Sequence, residues 1–300
     1  METAAAEAPV RRWSYRRLLD DNRRAANLFR TLGGNDPRVA MLLPAMPQAY
    51  ITLLGAETAG LVCPINYLLS DRHIAELLRA THANMLVALG PHPQLDIWSK
   101  VGALGRECPE LRHVLSVGGA SGAPDFDASL AMHRADTLDF DAAADADSVV
   151  ALFHTGGTTG APKLARHRHR NQPHASWSAA QMMAMTADDV IVNGFPLFHV
   201  AGSFVYGLSA LLSGAEVLLP TLLGMRNPDF VRSYWEVVER HRVSLLAAVP
   251  TVISTLMEVP VNGARIETVR ALFTGGSPLR RSSPPHSKVA SEFRCETSSA

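Results

Sequence analysis

The 300-residue sequence has no charge of one sign to spare: 28 basic side chains stand against 28 acidic ones. Without a positive excess to release counterions from a phosphate backbone, nucleic-acid binding as a main role is not expected. Cysteine is limited to Cys63, Cys108 and Cys295, odd in number, far apart and without Cys-x-x-Cys spacing. Neither a disulfide framework nor a structural zinc site is indicated. There is no uninterrupted apolar run of about 20 residues, so no transmembrane helix is expected. The longest candidates, 205–224 and 244–257, are broken by Glu216 and Pro220 and by Pro250. Residues 1–13 carry no apolar stretch after their charges, which argues against a signal peptide and for a reducing, cytoplasmic setting. Lysine is also scarce. Only Lys100, Lys163 and Lys288 are present, the other basic residues being arginine, so a lysine inside a motif carries more weight than usual.

What is present is an ordinary globular composition, 47% hydrophobic, in a chain long enough for one large domain or two ordinary ones. Apolar positions recur at helical spacing from Tyr15 to Leu32 and stop at Gly33-Gly34. A buried strand is expected over 38–43, a helix over 47–60, a strand over 61–65 and a helix capped by Ser70 to about 82. Two more short apolar runs follow at 85–89 and 113–117. Residues 1–117 therefore read as an α/β lobe with a mainly parallel sheet. Residues 118–147, rich in Gly, Ala and Asp, read as a linker. A second α/β lobe is expected over 148–279. Its strands lie near 148–154, 190–192, 216–219, 244–249 and 269–274; its helices lie over 171–185 and 200–212 and from Asn227-Pro228 to about 241. Residues 280–300 are Ser-rich, show neither period, and are expected to be irregular.

The most informative stretch follows the strand at 148–154. It reads Thr155-Gly156-Gly157-Thr158-Thr159-Gly160-Ala161-Pro162-Lys163. Three glycines let the backbone approach a ligand and expose consecutive N–H groups. The threonine hydroxyls can donate to phosphate oxygens, and Lys163 adds a compact positive charge. That combination suits a triphosphate. A Walker loop does not fit, because Gly-Lys-Ser/Thr is missing and Leu164 follows the lysine; no Gly-x-Gly-x-x-Gly opens a helix either. His154, His167, His169 and His174 straddle the loop with Arg166, Arg168 and Arg170 among them. Cationic neighbours and the absence of a Cys or acidic partner at ligand spacing disfavour a metal. The segment reads as a basic strand and helix start that could add to the field attracting a polyanion.

The loop resembles the phosphate-loop signature of the adenylate-forming superfamily, Thr-Ser-Gly-Ser/Thr-Thr-Gly-x-Pro-Lys-Gly. Gly156 stands in place of the Ser and Leu164 in place of the final Gly. This variant is similar to that of a subset of bacterial acyl-CoA synthetases. Two further stretches agree in order and spacing. Residues 195–202, Phe-Pro-Leu-Phe-His-Val-Ala-Gly, resemble the family segment in which an aromatic or His residue, here His199, borders the acyl pocket. Residues 273–279, Phe-Thr-Gly-Gly-Ser-Pro-Leu, resemble the turn that lines the adenine side, which implicates Gly275, Gly276 and Ser277. The resemblance covers roughly 13–279 and implies the N-terminal domain of the adenylate-forming fold, incomplete at its C-terminus.

The resemblance further implies a ligase reaction in two halves. A carboxylic acid attacks the α-phosphate of ATP, with Mg²⁺ bridging phosphate oxygens, and coenzyme A then displaces AMP; fatty acid metabolism is the implied setting. Thr155, Gly156, Gly157, Thr158, Thr159, Gly160 and Lys163 are the implied phosphate contacts, and Lys163 and His199 the implied catalytic residues, with no protein metal ligand named. The family's Thr-Glu dipeptide, ribose-binding Asp and lid lysine have no counterpart here. The sequence is therefore expected to be a truncated acyl-CoA synthetase, its frame lost after Leu279. A non-catalytic nucleotide- or acyl-binding module and an unstable fragment remain the alternatives.

Overall fold

The computed structural model describes residues 10–142, 145–155, 163–275 and 295–297. The chain divides into two compact bodies: one holds Arg11–His174 with Leu197–Val200, the other Ala175–Pro196 and residues from 201 onward.

The first body opens with α1 (Tyr15–Gly33), whose N-terminus is capped by the Ser14 hydroxyl accepting from Arg17 N at 3.1 Å. Then come β1 (Arg38–Leu42), α2 (Pro47–Ala59), β2 (Leu61–Pro64), α3 (Asp71–Thr81) and β3 (Met85–Leu89). They are followed by α4 (Trp98–Glu107), β4 (His113–Val117), α5 (Phe126–Ala131), β5 (Val149–His154) and β6 (Leu164–Arg168). The six strands form one sheet in the order β4-β3-β1-β2-β5-β6, parallel except for the β5–β6 pair. All five residues of β3 are buried, as suits a strand covered on both faces. The β1→β2 and β2→β3 crossovers run in opposite directions from the centre. Right-handed connection therefore puts α2 on one face and α3 with α4 on the other. On its face α2 lies so close to α1 that a Cβ on Gly55 would come within 2.5 Å of Ala25 Cβ.

The boundary between bodies differs from the sequence expectation. The strand over 149–154, expected to open a second lobe, pairs with β2 and completes the first sheet with β6. The expected linker is largely anchored as well. Phe126 is fully buried and stacks on Phe29, with ring centroids 6.2 Å apart. Buried Asn27 donates to the carbonyls of Arg134 and Thr137 and accepts from Asp139 N. A composition rich in Gly, Ala and Asp concealed this because the anchors sit on α1, far away in sequence. Two helices of this body, α4 and α5, escaped the periodicity altogether.

The second body contains most of α6 (Asn171–Met182), then β7 (Val190–Val192), a wide-wound π-helix (Ala201–Leu208) and α7 (Ser209–Ser213). It continues with β8 (Glu216–Leu218), α8 (Pro228–Arg232), α9 (Tyr234–Arg240), β9 (Leu245–Ala247), α10 (Pro250–Glu258) and β10 (Ala271–Thr274). Its sheet runs β11-β10-β9-β7-β8, where β11 is Cys295–Thr297, parallel to β10. A strand thus lies within the stretch expected to be irregular. Alternation along the strands sends Ile191, Leu245 and Ala247 into one apolar cluster with Tyr206 and Ala210. Val192 and Leu246 enter another with Tyr234, Trp235 and Val238. Asn227 caps α8 as expected. The single helix expected over 200–212 is instead π-wound up to Leu208. Asn193 Nδ2 donates to Gly202 O at 2.9 Å, which competes with the ordinary ladder at the helix start, and α-winding returns at Ser209.

Candidate functional site

The β5–β6 hairpin positions the glycine-threonine loop. His154 pairs with Leu164 at its mouth, and Thr155 N donates to Lys163 O at 2.9 Å. The Thr155 hydroxyl turns to the same carbonyl at 3.4 Å. Thr155 and Lys163, both exposed, are therefore the two feet of the loop. Gly156, Gly157, Thr158, Thr159 and Gly160 lie outside the described residues, as do Gly276 and Ser277. Gly275 is described directly after β10, in the second body.

In an open α/β sheet ligands gather beyond the carboxyl ends of the parallel strands, and this loop leaves from that end of β5. Beside it the first body assembles an aromatic and imidazole cluster. Asn66, just past β2, donates its backbone N–H to His154 Nε2 at 3.1 Å. The His154 ring stacks on Phe198 (centroids 6.2 Å, interplanar angle 27°), and Phe198 meets Tyr67 edge-on at 5.6 Å. The following residue, His199, is exposed. Burial, and secondarily the charge of His199, lowers the pKa of His154. Sequence reasoning singled out His199 and missed its setting. Asn66 and Tyr67 carry no motif, and His154 stands out in the sequence only as one of four histidines around the loop.

The segment after β2 is held from behind by Lys100 on α4, whose Nζ donates to the carbonyls of Tyr67 at 3.0 Å and Leu69 at 2.7 Å. The Asn66 side chain accepts from Leu68 N at 3.0 Å, closing a tight turn. The signal that could have found this was the rarity of lysine.

The basic strand is less available to an anion than its sequence suggests. Arg168 and Arg170 both pair with Asp147, at 2.8 and 2.7 Å. His167 packs on Phe153 with centroids 4.8 Å apart, and burial lowers the pKa of both His167 and His169. Among the described residues no group of three or more His, Cys, Asp or Glu could hold a metal ion, and no helix is long and apolar enough to cross a membrane.

The AMP-binding enzyme family matches residues 1–293, somewhat beyond the span that the motifs mark. A marinolic acid–CoA ligase of a Pseudoalteromonas species is 34% identical over 284 residues, covering 91% of this chain and 43% of that protein. A crotonobetaine/carnitine–CoA ligase of Salmonella paratyphi C is 26% identical, covering 85% of this chain and 48% of the relative. The chain thus spans less than half the length of these curated relatives. The crystal structure of an anthranilate CoA ligase, AuaEII, in complex with anthranoyl-AMP superposes with a TM-score of 0.79 at 18% identity. It covers 90% of this chain and 51% of that one, which establishes the fold. With a family match over nearly the whole sequence, and the glycine-threonine loop following β5 at the carboxyl edge of a parallel sheet, the chain belongs to the AMP-binding enzyme family.

Proposed function

We propose that this chain carries the ATP- and acid-binding part of an acid–CoA ligase, in which a carboxylate attacks the α-phosphate of ATP and coenzyme A then takes the acyl group. The observation that supports this reading is the hairpin: Thr155 and Lys163 are locked at the two feet of the glycine-threonine loop, next to the cluster that ends in His199. Both reactants of the first half-reaction are anions, so positioning and charge neutralisation are the main tasks. The backbone donors of 156–160 and the Lys163 ammonium would take the β- and γ-phosphates. Gly275, Gly276 and Ser277 would line the adenine side. His199 would border the acid, with Phe198 and Tyr67 supplying apolar surface. The described residues provide no carboxylate cage for Mg²⁺. An ion arriving with ATP would be held by phosphate oxygens and water, and no step is assigned to it. Coenzyme A enters through the named ligase relatives alone. A setting inside the cytoplasm and a role in fatty acid metabolism belong to the same proposal.

Pyrophosphate exchange into ATP with a panel of fatty and aromatic acids, run beside calorimetry of ATP binding, tests it. Acid-dependent exchange supports the ligase half-reaction. Binding of ATP without exchange selects a non-catalytic binding module instead, and no affinity for ATP at millimolar concentration overturns both.

A further inference from the structure

His154 is the last residue of β5 and stands directly before the first threonine of the phosphate loop. A backbone N–H can only donate, so the contact from Asn66 N at 3.1 Å fixes His154 Nε2 as an acceptor. The ring is then neutral, with its proton on Nδ1. Among the described residues, the groups acting on its protonation are its own burial and His199; no carboxylate is among them. Lys163 stands across the hairpin, and the Lys100 ammonium is turned to the Tyr67 and Leu69 carbonyls. Of the other charged groups on the paired and packed elements, Arg166 lies on β6, Arg168 is paired with Asp147, and Glu57 on α2 is bound to Gln172. Burial and the His199 charge both disfavour an imidazolium, and no carboxylate offsets them.

We propose that His154 is a positioning residue that ties three segments together: through Nε2 it holds the turn at Asn66, through its ring face it holds Phe198, and through the chain it is joined to the phosphate loop. Protonation at Nε2 removes the acceptor and sets a donor against the Asn66 N–H. The turn carrying Tyr67 and the segment carrying His199 then lose their common anchor. The acid-side arrangement is accordingly complete only while His154 is uncharged. The statement about the acid rests on the function proposed above; the tautomer and the Asn66 contact do not.

The test keeps the two apart. In the full chain labelled with ¹⁵N-histidine, long-range ¹H–¹⁵N spectra from pH 5 to 8 report the ring, with His154 assigned by its loss in His154→Gln. The expected result is the Nδ1–H tautomer, titrating below the ordinary 6.5. An Nε2–H tautomer, or titration at or above that value, overturns the proposal. Amide exchange of Asn66, corrected for the intrinsic pH dependence, is the second readout. Protection should fall at least tenfold when His154 protonates and in His154→Phe, which keeps an aromatic face but no acceptor. In His154→Gln, whose carbonyl replaces Nε2, protection should persist and lose its pH dependence. Equal protection in wild type and His154→Phe overturns the anchor whether or not exchange into ATP is ever observed. Where exchange is observed, with benzoate and octanoate as probes, His154→Phe should raise KM for the acid more than it lowers kcat.

Discussion

Gln172 at the start of α6 donates its side-chain amide to the Glu57 carboxyl on α2 at 2.7 Å, and both side chains are buried. Burial pushes the Glu57 pKa up to about 8 from 4.5, against a smaller lowering by Gln172. The group is thus a neutral acid at pH 7. Because its folded pKa is raised, its contribution is fully present below about pH 4.5 and is lost as pH rises through 8. Glu57→Gln keeps an acceptor for Gln172 and has nothing to ionise. Its stability by urea titration should match wild type near pH 4.5 and exceed it increasingly above, by at most about 1.4 kcal/mol per pH unit. Parallel curves over that range would contradict a buried, neutral Glu57.

Asp189 has the opposite sign. Burial raises its pKa, but hydrogen bonds from Arg270, Ser244 and Thr186 N, together with the Arg270 charge, outweigh this and hold it at about 2. Arg270 grips both carboxylate oxygens at 2.9 Å, and the Ser244 hydroxyl donates at 2.6 Å. A depressed folded pKa means that this stabilisation is complete above about pH 4 and fades as pH falls toward 2. Asp189→Asn removes the ion pair but leaves Arg270 partly solvated and still donating to the carbonyls of Met183 and Ala184, and should cost about 2 kcal/mol at neutral pH. The variant should also lose the acid-sensitive limb between pH 4 and 2. Retention of that limb in the variant would assign it to other carboxylates.

For Lys163 the expectation concerns ligand and not fold. Its side chain is exposed, and its carbonyl, not its ammonium, closes the hairpin. Lys163→Ala should therefore leave the urea midpoint unchanged within experimental scatter. ATP affinity should weaken by about tenfold or more, as expected for loss of one charge-assisted contact, and acid-dependent pyrophosphate exchange should fall further than acid binding. Equal exchange rates in variant and parent would remove Lys163 from the phosphate site.

How far the sequence was legible follows from the range of the interactions involved. Helix starts were readable where one side chain closes them locally, as with Ser14, Ser70 and Asn227. Apolar runs marked β1 through β5 and β7 through β10, most plainly in β3 and β9, which lie inside their parallel sheets and are buried throughout. Assignment of β5 to its sheet was not readable: the choice between two parallel sheets is made by pairing with Val62, far away in sequence. The same holds for the stretch around Phe126, which Phe29 and Asn27 secure from α1. At the site, the loop and His199 announced themselves by composition and resemblance. The contacts beside them, from the Asn66 backbone N–H to His154 and from Lys100 to two backbone carbonyls, involve main-chain atoms, for which only the scarcity of lysine leaves a mark in the sequence.

Gly202 offers a prediction that joins motif and packing. It closes the Phe-Pro-Leu-Phe-His-Val-Ala-Gly stretch, is buried, and sits in the first turn of the π-helix. Its carbonyl accepts from Asn193 Nδ2, so the backbone cannot drift without releasing a buried amide. A Cβ here would fall 2.4 Å from Pro196 O and 2.8 Å from Phe195 O. Both are backbone atoms, which no rotamer change can move aside. Gly202→Ala should therefore destabilise the protein by about 1–3 kcal/mol through overpacking, read as a lower urea midpoint. Phe195, whose ring stacks on Tyr206 at 4.9 Å, lies on the strained side, so that contact should open as well. Gly102→Ala on α4, exposed and with only the Arg106 guanidinium within 4 Å of its Cβ, controls for helix propensity, since alanine is the better helix former. A drop at 202 with no loss at 102 isolates the close approach, whereas an unchanged midpoint at 202 would mean that the carbonyls of Phe195 and Pro196 do not demand glycine.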